Sequence, residues 1–154
     1  MDILNETPIK MSFKSSGTPV EPELRPIWRI SILVIILSKL CRGSTASLKK
    51  LQVIYAIISS HDKRESYLFK RLNAEINVRF DPLLDRAISI GIGEGLFEFN
   101  SAKSVTLTKK GQSFSSYIYK CAELFVDEKK FLDNFNKTEF SDEKIDMLLY
   151  KGLI

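Results

Sequence analysis

The sequence predicts a mainly α-helical domain with a small β-hairpin, and three local patterns in the middle of the chain support this. Asp81 followed by Pro82 is an N-cap with proline at the first helical position, which begins a helix. Gly95 allows a left-handed end to that helix, and a short apolar segment follows as a strand. After a polar turn and a second strand, Thr108 caps a further helix. Because an isolated hairpin is marginal in water, it must pack on these helices.

The order helix, hairpin, helix predicts the closing half of a winged helix-turn-helix domain. The strands are expected at 96–99 and 105–107, with a turn between them. The expected buried stripe of the first helix is Leu83, Leu84, Ala87, Ile88 and Gly91, and that of the second is Phe114, Tyr117, Ile118, Cys121, Ala122 and Phe125. This fold serves both DNA readers and protein-docking modules.

An added N-terminal helix is expected from Pro26 to about Arg42, ended by Gly43. Its centre, 30–37, is apolar on nearly every side, and helices of that type are enclosed on all faces. A domain of this size encloses such a helix only with difficulty. Two alternatives remain open, a helix buried in the core and a helix that partly faces another subunit.

Further elements are predicted on both sides of this hairpin. Ser47 caps a second helix, with its apolar stripe on one side and Lys49, Lys50 and Gln52 on the other. Asp62, with Glu65 three residues later, indicates a third helix. The alternation in 75–80 indicates a short first strand, and two amphipathic helices in the tail, 128–135 and 142–149, either cover the core or contact a partner.

These patterns divide the chain into three parts. Residues 1–24 form an arm without its own core, either a frayed terminus or a strap that orders on a partner. Residues 25–126 form the winged-helix domain, and 127–154 form a C-terminal helical extension. No apolar run is long enough to span a membrane. Two cysteines on predicted buried faces favour a reducing, cytoplasmic location, with a disulfide as the alternative.

Charge is unevenly distributed along the chain. Residues 25–126 contain 16 basic and 8 acidic side chains, a net charge of +8. Each of the two flanking parts carries a net charge of −2. A basic middle segment fits a nucleic-acid contact and fits equally well docking onto an acidic protein.

The residues needed for catalysis are sparse, so we expect no enzyme, no cofactor and no metal. His61 is the single histidine and is expected in a polar loop. One histidine and two separated cysteines match no recognised zinc spacing. The glycines at 91–95 end a helix, whereas a phosphate-binding loop requires amides at a helix N-terminus.

The helix before the hairpin helps to choose between DNA and protein. In a DNA reader its exposed side chains meet base edges, and Arg, Lys, Asn and Gln are the usual readers. Here the exposed positions are expected to be Asp81, Asp85, Arg86, Ser89 and Glu94, three acids and one base. Phosphate contacts remain available to Lys49, Lys50, Lys63, Arg64, Lys103, Lys109 and Lys110. Any such contact with DNA is expected to be nonspecific and salt-sensitive.

Two segments carry a resemblance to a known family. They are RPIWRISILVIILSKLCRGSTASLKKLQVI, and RFDPLLDRAISIGIGEGLFEF with VTLTKKGQSF after it. The chain resembles, over about 25–120, the small winged-helix middle component of bacterial three-component ABC-ATPase systems. That group includes the small subunit of Lamassu-type antiphage defence complexes.

The resemblance implies a non-catalytic subunit of an antiphage or antiplasmid complex. Its expected partners are an SMC-like ABC ATPase and an effector, often a nuclease. Interfaces of this kind depend on a few aromatic and arginine anchors, and the candidates are Trp28, Arg29, Phe131 and Phe135, with a core position as the alternative for Trp28. The alternative function is a DNA-binding transcriptional regulator of the winged-helix type.

Overall fold

The computed structural model describes residues 25–70 and 78–152, which form seven α-helices and a three-stranded antiparallel sheet. In chain order they are α1 Pro26–Leu40, β1 Thr45–Ser47, α2 Leu48–Ile58, α3 His61–Lys70, α4 Pro82–Gly93, β2 Phe97–Phe99, β3 Ser104–Leu107, α5 Lys109–Lys120, α6 Val126–Leu132 and α7 Asp142–Gly152. Within these residues no helix has both the length and the apolar character needed to cross a bilayer.

Helix α1 is the centre of the core. Every residue from Arg29 to Leu37 is buried, and Ile32–Leu37 have no exposed surface. The helix packs against α2, α4 and α5, so the chain encloses it without help from another subunit. Of the two alternatives for its centre, the buried one is therefore right. Its two ends are open, at the first turn, where Ile27 is 55% exposed, and at Lys39 in the last turn.

The sheet is ordered β1-β3-β2, with β3 in the middle. Thr45 of β1 lies opposite Thr106 of β3, and their hydroxyls are 2.9 Å apart. The predicted first strand at 75–80 is wrong for 78–80, which are irregular, and 75–77 lie outside the described residues. The first strand instead lies between α1 and α2, because its three small residues pair with a distant segment.

Three predicted helix starts are confirmed by their capping hydrogen bonds. The Asp81 carboxylate accepts from Leu83 N at 2.9 Å. Thr108 Oγ1 accepts from Gly111 N at 3.0 Å, and Ser47 Oγ from Lys50 N at 3.2 Å. The start predicted for the third helix at Asp62 is wrong, because α3 begins at His61 and Ser60 Oγ accepts from Lys63 N at 3.4 Å. His61 is therefore in the first turn of a helix and not in a loop.

The glycines after α4 shape the hairpin junction. A Cβ on Gly91 would lie 2.4 Å from the Phe97 ring, so only glycine lets α4 approach β2 this closely. Gly95 has φ +75°, which confirms the predicted left-handed helix end.

The predicted buried stripes are confirmed in part, at Leu84, Ala87, Ile88 and Gly91 of α4 and at Ile118 of α5. On α5 the buried residues are Gly111, Ser115 and Ile118, whereas Tyr117 is 60% exposed. The helix ends at Lys120, and Cys121, Ala122 and Phe125 belong to the connection that follows. On α4, Leu83 is 45% exposed.

The C-terminal helices cover the core. Helix α7 follows Ser141, whose Oγ accepts from Lys144 N at 3.3 Å, as expected for a cap. The aromatic cluster consists of Tyr67, Phe131, Phe135 and Phe140, whose neighbouring ring centroids are 5.0 to 6.1 Å apart. It joins α3 and α6 to the segment before α7, so the tail and the central helices share one core.

Candidate functional site: an apolar cleft and a cationic groove

The four residues predicted as partner anchors do not form one surface. Arg29 is 8% exposed, and its Nε donates to Asp81 Oδ2 at 3.1 Å. Phe131 is 3% exposed, and Phe135 is half-buried in the aromatic cluster. In this conformation Arg29 and Phe131 are covered by their own chain, so neither is presented as an anchor for a partner. Trp28 is half-buried and remains at the surface.

Arg29 belongs to a polar clamp with Gln52 and Asp81. The Gln52 Nε2 atom donates to the Asp81 carbonyl at 3.1 Å, and Gln52 Oε1 accepts from the Asp81 amide at 3.0 Å. Nε2 also lies 3.3 Å from Asp85 Oδ1. Gln52 is 4% exposed, so its predicted solvent position is wrong. The polar clamp attaches the start of α4 to α1 and α2 and thereby fixes which face of α4 points outward.

The outward face of α4 mixes carboxylates with aliphatic side chains. Asp85, Arg86, Ser89 and Glu94 are exposed, as predicted, whereas Asp81 is half-buried in the polar clamp. The sequence stripe did not predict that Leu83, Ile90 and Ile92 are also 37 to 45% exposed. A phosphate-lined groove repels such a face, because it offers negative charge and apolar surface where cations are required.

An apolar cleft lies where the first turn of α1 meets the end of α4 and the face of α5. Its main part has a volume of about 490 Å³ and is lined by Pro26, Ile27, Ile30, Ile90, Glu94, Leu96, Lys110 and Phe114. The Lys110 Nζ atom donates to the Glu94 carbonyl at 2.6 Å. The Lys110 ammonium is therefore held by the backbone at the end of α4, and apart from Lys110 and Glu94 the lining of this part is apolar.

The apolar cleft continues into a second hollow of about 270 Å³. Ile27 and Phe114 line both parts, and Trp28, Tyr117 and Leu124 line the second. The Trp28 ring packs edge-on against Tyr55 at a centroid distance of 6.2 Å and against Phe125 at 6.0 Å. Ring packing on two sides holds the cleft wall in place, and such a concave apolar surface can receive side chains of another polypeptide.

The seven predicted phosphate contacts are distributed over separate surfaces. Arg64 is 8% exposed, donates to the Ile58 carbonyl and lies 3.9 Å from a Glu128 carboxylate oxygen, so this conformation does not present it to a phosphate. Lys63 lies on α3, half-buried. Lys109 and Lys110 begin α5 beside the hairpin. Lys49, Lys50 and Lys103 lie near β1.

A cationic groove of about 760 Å³ runs along β1. Its basic lining residues are Arg42, Lys49, Lys50 and Lys137, and its acid is Asp142. Lys103 precedes Ser104, which lines the groove and pairs with Ser47. Sequence reasoning missed Arg42 and Lys137, because residues so far apart meet only in the fold.

The cysteines and the histidine provide no reactive arrangement in the described residues. Both cysteines are free. Burial raises the pKa of the Cys41 thiol to about 11, so it is protonated near neutral pH, and Cys121 is half-buried rather than in the core. Between 25 and 70 and between 78 and 152, no three His, Cys, Asp or Glu side chains gather where they could hold a metal.

No family model, no curated protein and no solved structure matches the chain. The apolar cleft and the cationic groove are thus the two features from which a function can be argued.

Proposed function

We propose that this chain is a non-catalytic winged-helix subunit that docks another polypeptide in the apolar cleft. The observation that carries the proposal is the exposure of large apolar side chains in a concave site. Ile27 is 55% exposed, Tyr117 60% and Leu124 40%. Exposed apolar surface gathered in one hollow favours an interface, because burying it gains about 25 cal/mol for each Å² removed from water.

The order of elements supports the winged-helix part of the proposal. Strand β1 lies between the first two helices, α4 directly precedes the hairpin, and the sheet order is β1-β3-β2. This is the arrangement expected of a winged helix, with α3 inserted between α2 and α4. In the DNA-binding use of this fold, α4 would enter the major groove.

The outward face of α4 favours docking over transcriptional regulation. Its carboxylates, Asp85 and Glu94, and its aliphatic side chains, Leu83 and Ile90, suit contact with protein better than contact with base edges. Because the polar clamp fixes this helix from behind, rotating a different face outward would break the contacts of Gln52 with Asp81. A sequence-specific DNA regulator is therefore the less supported alternative.

The resemblance supplies the identity of the partner in this proposal. We infer an SMC-like ABC ATPase, which together with a nuclease-type effector forms a cytoplasmic antiphage or antiplasmid complex. In such a complex the chain would connect subunits without performing chemistry. Trp28 is the one predicted anchor that lines the apolar cleft, and Ile27, Phe114 and Tyr117 join it as anchors.

Co-expression with the SMC-like ATPase and effector from neighbouring reading frames tests the proposal. Wild-type protein should co-purify as a stable complex, and the double variant Ile27→Asp/Tyr117→Asp should weaken the affinity at least about 10-fold, because the two anchors together should contribute about 1.4 kcal/mol or more. Phe69→Asp is the matched control, since Phe69 is 89% exposed on α3 and does not line the cleft. The proposal fails if both variants co-purify as well as the wild type while remaining folded.

A further inference from the structure

We propose that the cationic groove binds the phosphate backbone of duplex nucleic acid, independently of the apolar cleft. The groove is formed by β1, by the first turn of α2 and by the segment that leads into α7. Four basic side chains from these parts of the chain line it, and Lys103 stands just outside. The chain would thus bind two ligands of different chemistry, a polypeptide in the apolar cleft and a phosphate backbone in the cationic groove.

The positive charge of the groove is only partly neutralised within the chain. Lys49 Nζ lies 2.5 Å from Asp146 Oδ1, an exposed pair. No ion pair with a described residue is found for Lys50 or Lys137. Both of these lysines act on the same buried Cys41 thiol, whose pKa is raised by burial, lowered by the charges of Lys50 and Lys137, and raised less strongly by Asp142. Lys50 and Lys137, which are 87 positions apart in the sequence, therefore both place positive charge near Cys41.

The first turn of α2 strengthens this field. The helix dipole makes a helix N-terminus positive, and acidic side chains normally occupy it. The first turn of α2 contains no acid and instead carries Lys49 and Lys50. Like charges held together at that end cost stability, and a bound anion would remove the cost. This arrangement suits a phosphate ligand, because positive side chains and the positive end of the helix dipole lie at the same place.

The lining chemistry favours a duplex backbone over single strands. Single-stranded nucleic acid is held by bases stacked on exposed aromatic rings. The one aromatic residue lining the groove, Phe140, has no exposed surface. The uncharged polar lining consists of hydroxyl side chains, which can contact phosphate oxygens and carry no sequence information, from Thr45, Ser47, Ser104, Thr138 and Ser141. Asparagine and glutamine, which read adenine edges, are not among the lining residues.

Fluorescence anisotropy with the full chain and a short labelled duplex tests the inference. Four phosphate contacts predict that log affinity falls with log salt at a slope of about −3.6, or roughly 100-fold between 50 and 200 mM salt. Lys50→Glu/Lys137→Glu should weaken binding at least about 10-fold and make the slope shallower by about 2. The matched control is Lys120→Glu/Lys130→Glu, which changes net charge equally at exposed positions outside the groove.

Each other outcome overturns the inference. An equal loss with the control pair would show an effect of net charge alone. Tighter binding of a single strand than of the duplex would reject the duplex assignment. An acidic peptide that competes at an equal concentration of negative charge would assign the groove to a protein partner.

The apolar-cleft variant separates this inference from the proposed function. Ile27→Asp/Tyr117→Asp should leave duplex binding unchanged, because neither residue lines the cationic groove. Conversely, Lys50→Glu/Lys137→Glu should still co-purify with the ATPase in the absence of nucleic acid. Loss of duplex binding in the cleft variant would show that the apolar cleft and the cationic groove are not independent sites.

Discussion

The polar clamp and the aromatic cluster hold different helices by different physics. The polar clamp joins α1, α2 and α4 through directed contacts of 3.0 to 3.1 Å between Arg29, Gln52 and Asp81. The aromatic cluster joins α3 and α6 to the chain before α7 by packing rings such as Tyr67 on Phe140, 5.3 Å apart. Hydrogen bonds fix direction and exchange with water at small net gain, whereas apolar burial is strong and tolerant of direction. The cluster therefore supplies more stability, and the clamp supplies the orientation of α4.

The largest effect should come from truncating the aromatic cluster. Phe140 has no exposed surface and packs on Tyr67 and Phe135, so Phe140→Ala should destabilise the protein by about 3–5 kcal/mol. Urea denaturation followed by circular dichroism measures this free energy of unfolding. Phe69→Ala makes the same change at a side chain that is 89% exposed and should shift stability by less than about 0.5 kcal/mol.

Breaking the polar clamp should have a smaller effect on stability. Asp81→Ala removes the α4 cap and leaves Arg29, at 8% exposure, without the Asp81 carboxylate, so a loss of about 2–3 kcal/mol is expected. Asp81→Asn retains an oxygen that can cap Leu83 N and should lose less. The same urea titrations rank the two variants. A loss from Asp81→Ala greater than that from Phe140→Ala would reverse the comparison between the two regions.

Only part of the polar clamp could be predicted from the sequence. The capping role of Asp81 was predictable, because the amide it accepts from is two residues away. The role of Gln52 was not, because its partner lies 29 residues along the chain and its position on a helical wheel looks exposed. Arg64 was mistaken for a surface cation for the same reason, since Glu128 is distant in sequence.

Helical periodicity predicts the position of an apolar helix face to within about one residue. Residues at the boundary of that face can therefore be exposed and available for binding. Leu83 and Tyr117 matched the predicted stripes, yet both are exposed. Tyr117 lines the apolar cleft from this boundary, while Ser115 and Ile118 of the same helix are buried. Likewise, the cationic groove depends on Arg42 and Lys137 meeting across β1, which no local pattern specifies.

Ionisation of Cys41 extends the comparison to a buried thiol. The folded-state pKa is raised by burial from 9.0 to about 11, so the unfolded chain loses this proton first as pH rises. The stability contributed by the protonated thiol is complete below pH 9 and is lost as pH rises towards 11. Between pH values of about 8 and 10 the loss attributable to Cys41 should be about 1.4 kcal/mol.

Urea titrations at the two pH values measure that loss, with Cys41→Ala as the control. The variant should be less stable at both pH values, because it leaves a small cavity, but its stability should depend less on pH. Equal pH dependence in the two proteins would mean that Cys41 ionises as readily in the fold as in the unfolded chain.

The smallest effect expected is that of a single hydroxyl, and two tyrosines, Tyr67 of the aromatic cluster and Tyr119 of α5, should give opposite signs. In the aromatic cluster, Tyr67 Oη donates to Glu139 Oε1 at 2.9 Å, so Tyr67→Phe should cost about 1 kcal/mol. The Tyr119 hydroxyl is buried and has no hydrogen-bond partner among the described residues, and burial raises its pKa. Tyr119→Phe removes that polar atom and keeps the ring over which Lys39 Nζ lies at 4.6 Å, so stability should be unchanged or rise by up to about 1 kcal/mol. Urea midpoints of the two variants measured together decide the matter, since a loss from Tyr119→Phe as large as that from Tyr67→Phe would mean that the Tyr119 hydroxyl is satisfied in solution.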